Sequence, residues 1–237
     1  MSQSKTEPTV CCVMLTADRP ELARRAVECF RRQTYSRARL CVFDTGETHA
    51  LPPSRDFRIG VFHAPNQRGK AIGELRNLVA SAVSRQNNPA PPDIFAHFDD
   101  DDWSHPNRIA EQVALLQSSG ADCVGYREML FWRQHDGEAW LYSNRDPRYC
   151  LGTSLCYWRK TWERKPFEAT SQGEDERFTT GLKCFGSDLI FGREQPRMIA
   201  RIHAGNTSNA YDPGVMRKSA EWKRVPEWDE HCRRVME

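Results

Sequence analysis

Long apolar runs are missing from this sequence, and so is a strong net charge. The mean hydropathy is −0.71, and no apolar stretch approaches the length of a membrane-spanning helix. The first residues, MSQSKTEPT, are polar and lead directly into VCCVML, so we expect no signal peptide. A net charge of +2 over 237 residues gives no global reason to expect a nucleic-acid partner.

Paired cysteine motifs are also missing. The chain has nine cysteines, an odd number, and no CxxC pair. Five of them lie in apolar, strand-like segments, namely Cys11, Cys12, Cys41, Cys123 and Cys156. This pattern predicts reduced, buried cysteines and a cytoplasmic location rather than a disulfide framework. The seven histidines are scattered, which argues against a structural zinc site.

Motifs for a covalent nucleophile are missing too. No GxSxG occurs, and no serine or cysteine lies in a recognisable nucleophile motif. The segment after the first apolar run, TADRPEL, contains no glycine. A nucleotidyltransferase would be expected to carry a glycine-rich, basic phosphate loop there, so this segment counts against that class of enzyme.

The first half of the chain alternates between strand-like and helix-like segments. Short apolar runs predict strands at 10–15, 40–43, 59–62, 94–98 and 123–126. Helical spacing appears between them, with Asp18 as a candidate cap before Pro20 and with Gly120 closing the helix that Pro106 opens. The alternation predicts an α/β fold with a largely parallel central sheet and helices on both faces.

The second half is less regular and rich in Trp, Tyr, Arg and Pro. We interpret 1–237 as a single domain, with a nucleotide-binding half at about 9–126 and an acceptor-side half at about 127–237. Aromatic residues are dense between 126 and 162, and sugar rings stack on such side chains, but more of them are expected in the core.

Polar side chains follow three of the predicted strands. Thr16, Asp44 and Asp99 each come directly after an apolar run. Ligands of open α/β sheets collect at the carboxyl ends of the strands, so we expect these side chains to converge at one edge.

The third of these positions begins an acidic run, HFDDDDWSHPNRI, at 97–109. Four adjacent carboxylates repel one another unless water or a cation relieves them. Hard divalent cations bind such oxygens and keep open positions for phosphate groups, which favours Mg²⁺ or Mn²⁺ here. The alternative is a solvated acidic turn in which Asp102 or Ser104 caps the following helix.

Seven stretches, taken in order, resemble glycosyltransferase family 2, the inverting GT-A type. They are VMLTADRPELARRAVECFRRQTY, VFDTG, GKAIGELRNLVASAV, IFAHFDDDDWSHPNRI, GTSLCYWRKTWERKPF, GEDERF and HAGNTS. The resemblance implies a GT-A fold, a nucleotide-sugar donor (UDP expected), and an acceptor hydroxyl on a glycan, lipid-linked sugar, protein or small molecule.

The resemblance also implies roles on the donor side. Thr16 and Asp44 would hold the base, and Arg76 would support the nucleotide pocket. The family's DxD falls best on Asp99 and Asp101, although four aspartates leave its register open by one residue.

In that register Asp99 would face the ribose, and Asp100 would also belong to the donor site. Asp101 would bind the metal and the diphosphate. His203, in HAGNTS, resembles the late residue that reaches back to the metal or diphosphate in some relatives.

On the acceptor side, the aspartate of GEDERF is the base in the family. This implies Asp175 as general base, with Glu174 orienting it or contacting the acceptor. An acidic helix start is the structural alternative for the same residues. Two departures from the family pattern, Thr45 and Ala17, both concern base recognition, so uridine is an expectation.

Three other functions stay open. The first is a nucleotidyltransferase, although the chain lacks the glycine-rich phosphate loop expected of that class. A non-catalytic binding module would have no use for the base in GEDERF. A glycosyltransferase acting on nucleic acid could use WRKTWERK as a basic patch, but the net charge makes this a minority reading.

Overall fold

The computed structural model describes residues 7–87, 90–188, 195–206, 213–218 and 221–237. The first part of the chain contains β1 (Val10–Thr16), α1 (Pro20–Arg31), β2 (Ala38–Asp44), β3 (Ile59–His63), α2 (Ile72–Ser84), β4 (Ile94–His97), β5 (Trp103–Ser104), α3 (Arg108–Ser119) and β6 (Cys123–Tyr126). The second part contains β7 (Glu128–Arg133), β8 (Glu138–Ser143), β9 (Cys156–Trp158), α4 (Arg159–Arg164), α5 (Glu174–Thr179), β10 (Cys184–Ser187), β11 (Met198–Ile202), α6 (Pro213–Lys218), β12 (Trp222–Arg224) and α7 (Asp229–Met236).

The larger sheet has the strand order β10-β6-β9-β4-β1-β2-β3. Neighbouring strands run parallel except for β9, which is antiparallel to β4 and β6. The predicted α/β fold with a mostly parallel sheet is therefore confirmed. β9 and β10 belong to this sheet although they lie beyond residue 126, so the division into two halves at that residue stays a prediction.

Both faces of this sheet are covered, which explains the continuous apolar runs of its strands. In β1, Cys12 and Met14 pack with Phe30 of α1, whereas Cys11 and Val13 pack on the other face with residues of α2. The alternation of side chains along a strand sends neighbouring residues to opposite cores. All nine cysteines are free and buried, as the sequence predicts.

The smaller sheet has the order β12-β8-β7-β11-β5. On one face, Leu130 and Trp132 pack against Cys232 and Met236 of α7. The two-residue strand β5 follows the acidic run immediately and pairs antiparallel with β11, Ser104 opposite Met198. Because the two strands are antiparallel, the acidic run that precedes β5 lies alongside the end of β11 and His203.

Two local predictions are wrong. Asp18 does not cap α1, because Arg19 is the residue before the helix and no side chain caps it. Asp18 instead adopts a left-handed conformation with φ of 55°, accepts a 2.8 Å hydrogen bond from the Glu47 amide and pairs with Arg68. The second is the cap of the helix after the acidic run, because α3 begins at Arg108 and neither Asp102 nor Ser104 caps it. The predicted end of this helix is confirmed, since Gly120, with φ of 60°, follows its last residue.

Two stretches of the sequence lie only partly within the described residues. Residues 88 and 89 of the loop before β4, and Thr207 and Ser208 of HAGNTS, lie outside the described residues. Within the described ranges, every helix is too short or too polar to span a bilayer.

Candidate active site

A cleft of about 620 Å³ opens at the carboxyl ends of β1 and β4 and extends to the smaller sheet. Its polar wall is built by Thr16, Arg19, Thr45, Arg76, Asp99, Asp100, Asp101, Asp102, Thr153, Glu174, Asp175 and Arg201. Its apolar wall includes Leu15, Ile72, Leu75, Phe131, Tyr149, Leu151, Ala200 and Ile202. Side chains from both halves of the sequence therefore meet in one cavity.

The four aspartates of the acidic run have four different surroundings. Asp100 is buried and accepts a 2.6 Å hydrogen bond from the Thr16 hydroxyl. Arg19 Nε lies 3.3 Å from the same carboxylate oxygen of Asp100. Parallel pairing of β1 with β4 explains this contact, because both strands end at the same edge of the sheet.

Asp101 faces His203, 102 residues later in the chain. The distance between Asp101 Oδ2 and His203 Nε2 is 3.0 Å, and both side chains are mostly buried. Arg19 Nη1 lies 3.2 Å from the same Asp101 oxygen. The sequence-predicted pair of Asp101 and His203 is thus brought together, at the place where the pairing of β5 with β11 puts it.

The carboxylate of Asp102 is engaged by neighbouring segments of the protein. It accepts a hydrogen bond from the Thr153 hydroxyl and a 3.1 Å hydrogen bond from the Arg201 amide. These bonds join the acidic run to the turn at Gly152–Ser154 and to β11. Asp102 therefore holds three segments of the cleft together.

Arg76 lies between the other two acidic positions. Its guanidinium is 3.6 Å from Asp99 Oδ1 and 3.8 Å from Glu174 Oε1. Arg76 is 7% exposed, yet its Nε and Nη1 make no hydrogen bond to any described residue. Buried donors in native structures are nearly always paired, so this guanidinium is suited to an oxygen-rich ligand in the cleft.

Burial changes the protonation of the acidic residues. It raises the pKa of Asp100 to about 7, against the opposing effect of Arg19, and the Asp101 charge adds to the increase. Burial also raises the pKa values of Asp99 and Glu174, which Arg76 lowers, and it raises that of Asp102 well above its ordinary value. The run therefore carries fewer than four full charges near neutral pH.

Asp175 lies in the first turn of α5, next to the turn that begins at Gly152. A side-chain Cβ built on Gly152 would lie 2.5 Å from Asp175 Cγ and 2.8 Å from Asp175 Cβ. A glycine is therefore required at position 152 for the Asp175 carboxylate to occupy its place in the cleft. The Gly152 carbonyl in turn accepts a 2.6 Å hydrogen bond from His97 Nδ1.

His97 and Arg108, both buried, hold this turn through hydrogen bonds to its carbonyl groups. His97 is fully buried, and burial with the nearby Arg76 charge lowers its pKa well below the ordinary value, so it is neutral. Arg108 is fully buried and donates to the carbonyl oxygens of His97, at 2.7 Å, and Thr153, at 3.3 Å. The turn is thus fixed to the strand that precedes the acidic run.

Asp44 occupies a different position from the other predicted donor residues. It is fully buried, and its two oxygens accept hydrogen bonds from the amides of Gly46, at 2.9 Å, and Ala50, at 2.7 Å. Its neighbour Thr45 lines the cleft, whereas Asp44 holds the loop after β2. A role for Asp44 in base binding stays a prediction.

The residues available to a divalent cation form a small set. No group of three or more His, Cys, Asp or Glu side chains in metal-binding arrangement occurs within the described ranges. Asp101 and His203 supply one oxygen and one nitrogen donor close together. Mg²⁺ and Mn²⁺ sites in nucleotide enzymes commonly use one or two protein ligands and complete their shell with phosphate oxygens and water, so this pair fits such an ion.

The contacts of several of these residues could not be predicted from the sequence. Arg19 and Gly152 lie in stretches that resemble the family, but nothing there indicates contact with the acidic run or with Asp175, and Arg201 is a single arginine among many. The position of Arg19, three residues after the first strand, is a weak sequence signal that it lies at the edge of the sheet. The sequence gives no signal for the pairing of β5 with β11, because a strand of two residues has no recognisable pattern.

Comparison with known proteins defines the class. A model of glycosyl transferase family 2 matches residues 11–177. This match covers more than half of the chain, and the chain therefore belongs to that family. A comparison with curated protein sequences gave no match.

Solved structures of the same fold include TarS from S. aureus. TarS 1–349 in complex with UDP-GlcNAc is 12% identical, with a TM-score of 0.58, over 84% of this chain and 60% of that chain. The mannosyltransferase PcManGT from Pyrobaculum calidifontis, in complex with GDP-Man and Mn²⁺, is 13% identical, with a TM-score of 0.58, over 98% of this chain and 70% of that chain.

Another TarS structure matches over 82% of this chain, which spans 37% of that TarS chain. These likenesses establish the GT-A fold of this chain.

Proposed function

We propose that this chain is an inverting, metal-dependent glycosyltransferase that moves a sugar from a nucleotide-sugar donor, with UDP as the nucleotide, to an acceptor hydroxyl. The observation that carries the proposal is that Asp101, which lies 3.0 Å from His203, lines the same cleft as Asp175. A divalent cation at this pair would stabilise the leaving diphosphate, and a carboxylate base would take the acceptor proton, as a single displacement at an anomeric carbon uses them.

The donor side of the cleft supports this reaction with its charges. Arg76 presents unpaired donors to the cleft, and Thr16 and Asp99 lie at the ends of adjacent strands. A divalent cation at Asp101 and His203, Mn²⁺ or Mg²⁺, would neutralise charge that develops on the leaving diphosphate. Solved relatives of the same fold hold UDP-GlcNAc in one case and GDP-Man with Mn²⁺ in another.

Asp175 supplies the base in this proposal. An aspartate carboxylate can accept the proton of a hydroxyl that lies within hydrogen-bond reach. The proton moves from the acceptor oxygen to the Asp175 carboxylate as that oxygen bonds to the anomeric carbon. The bond from the anomeric carbon to the diphosphate oxygen breaks at the same time. Glu174, paired with Arg76, would hold the start of α5 in place.

The cation site is tested by thermal unfolding with UDP. We expect UDP with Mn²⁺ to raise the melting temperature of the wild type more than UDP in EDTA. Asp101→Asn and His203→Ala should lose this metal-dependent increase, whereas Asp56→Asn, a carboxylate outside the cleft, should keep it. Equal stabilisation by UDP with and without metal would contradict the assignment.

The base is tested by Asp175→Asn, with Glu176→Gln as the matched control on the same helix turn. Loss of a general base costs about 10²–10⁴-fold in rate, or about 3–5 kcal/mol of barrier. UDP-sugar affinity should stay within about twofold. Near-normal turnover in Asp175→Asn, or a product with retained anomeric configuration, would remove Asp175 from this role.

The same measurements separate the alternatives. A binding module would take up UDP with Mn²⁺ but release no UDP from any nucleotide sugar in the presence of acceptor. A nucleotidyltransferase would form pyrophosphate from a nucleoside triphosphate and a sugar phosphate. Either outcome would replace the proposed reaction.

A further inference from the structure

A continuous group of four aromatic rings lies at one face of the smaller sheet, and two of them, Phe131 and Tyr149, line the cleft. Phe131 and Trp222 have ring centroids 4.8 Å apart, and Trp222 and Tyr142 have centroids 5.0 Å apart. Tyr142 also lies 6.0 Å from Tyr149 and 6.4 Å from Phe131. We name these four residues the aromatic platform.

Strand register explains why three of the rings share a face. Tyr142 of β8 lies directly opposite Trp222 of β12, and Phe131 of β7 lies opposite Trp140, two residues from Tyr142. Directly opposed residues of antiparallel strands project to the same side of a sheet. Ala200 of β11, opposite Phe131, extends this face to the acidic run.

The platform differs from the other face of the same sheet. That face is covered by α7, as expected for an apolar sheet surface in a core, whereas on the platform side Met216 of α6 packs against Phe131 and Trp222 and leaves both rings partly exposed. Phe131, Tyr149 and Trp222 are each half-buried, and Phe131 and Tyr149 line the cleft beside Leu151 and Ile202. Aromatic walls with a few convergent polar groups are typical of ligand sites.

Chain continuity places this wall next to the proposed base. Tyr149 and Leu151 lead directly into Gly152, whose Cα packs against the Asp175 side chain. Burial, the Tyr142 hydroxyl and the Asp175 charge all raise the pKa of Tyr149. A ligand stacked on Phe131 and Tyr149 would therefore lie beside the Asp175 carboxylate, on the acceptor side.

The charges around the platform favour a neutral ligand. Glu174 and Asp175 line the adjacent wall and place two acidic side chains beside Tyr149. A polyanion such as a nucleic acid would meet like charge at that wall.

We propose that Phe131 and Tyr149, backed by Tyr142 and Trp222, form a stacking surface for a pyranose ring of a neutral glycan acceptor. This inference rests on the proposed function and names its acceptor class. The C–H bonds of a pyranose face carry a slight positive charge, and the face of an aromatic ring is negative, so stacking is attractive. Ring stacking also presents the hydroxyl groups at the ring edge to Asp175.

The experiment is binding to an array of neutral oligosaccharides, acidic oligosaccharides and single-stranded oligonucleotides, with UDP and Mn²⁺ present. The wild type should bind neutral pyranose oligosaccharides. Two variants, Phe131→Leu, which keeps apolar volume in the sheet, and Tyr149→Ala, should bind these oligosaccharides at least about tenfold more weakly than the wild type. Tyr149→Phe keeps the ring and should retain binding, as should Phe62→Ala, which removes a 45% exposed ring on β3.

Each outcome decides the inference. Binding restricted to acidic glycans or oligonucleotides, no binding to any neutral glycan, or unchanged binding by Phe131→Leu would overturn it. Calorimetric titration with UDP and Mn²⁺ on the same preparations separates this result from the proposed function. If UDP binds and neutral glycans do not, the acceptor class is wrong and the transferase proposal stands; if UDP fails to bind, the transferase proposal itself fails.

Discussion

Gly152→Ala is the sharpest test of how the cleft places its base. The new methyl group would lie 2.5 Å from Asp175 Cγ and 2.8 Å from Asp175 Cβ. Separations under 3.0 Å between such atoms are not sustained in proteins, so one of the two residues must move. Rotation of the Asp175 side chain moves Cγ but leaves Cβ in place, so the backbone of α5 or of the Gly152 turn must shift.

The size of the effect follows from this displacement. Misplacing a reacting group by about 1 Å can reduce the rate about 10²-fold, and complete loss of a general base costs up to about 10⁴-fold. We expect turnover in Gly152→Ala to fall about 10²–10³-fold, or about 3–4 kcal/mol of barrier. UDP affinity should stay within about twofold, because the cation pair Asp101 and His203 is not touched.

Stability provides an assay that needs no acceptor. Overpacking of this kind costs about 1–3 kcal/mol of unfolding free energy. In the Asp175→Gly background the clashing atoms are gone, so Gly152→Ala should cost little, and the double-mutant cycle should show coupling of about 1–3 kcal/mol. Gly60→Ala is the control, since its methyl would meet the exposed Phe62 ring at 3.0 Å and nothing else within 3.4 Å. Additive effects, or normal turnover in folded Gly152→Ala, would refute the placement of Asp175.

Three further predictions concern the supports of the cleft. Because its pKa is lowered in the folded state, neutral His97 contributes to the free energy of unfolding above about pH 6.5, and this contribution is lost as the pH falls. In urea unfolding between pH 7.5 and 5, the wild type should lose up to about 1.4 kcal/mol per pH unit relative to His97→Asn. A pH-independent difference would contradict a buried, neutral His97. Asp44→Ala leaves two loop amides unpaired and should cost about 1–3 kcal/mol of stability; an unchanged denaturation midpoint would show that the loop does not need this carboxylate. Arg19→Ala removes the guanidinium that contacts Asp100 and Asp101, so Mn²⁺ added without nucleotide should bind more tightly in calorimetry. Weaker or equal Mn²⁺ binding would show that Arg19 does not compete with the cation for these carboxylates.

The sequence predicts five of the seven strands of the larger sheet, all except β9 and β10, because the information for those five is local. Each of β1, β2, β3, β4 and β6 is a short apolar run, and the helices between them show regular spacing. Asp18 shows the limit of such local rules. It has the residue type and position of a helix cap, but contacts with Glu47 and Arg68, 29 and 50 residues away, determine its conformation.

The candidate site depends more on pairings that no local pattern encodes. A two-residue strand after the acidic run, paired with β11, decides that His203 lies next to Asp101. Family resemblance predicts the roles of these two residues, but their separation of 3.0 Å comes from that non-local pairing. Arg19 and Gly152 were missed for the same reason, since each acts through a side chain distant in sequence.

Four adjacent aspartates are tolerated here because the fold separates their environments. Asp102 is turned into the framework, where Thr153 and the Arg201 amide bind it, and burial raises its pKa and that of Asp100. These two carboxyls therefore contribute less than full charge near neutral pH, which reduces the repulsion. Asp99 keeps Arg76 as a partner. The remaining carboxylate, Asp101, is the one that faces a histidine, His203 at 3.0 Å, so it is the position in the run at which a cation would find a second protein ligand close by.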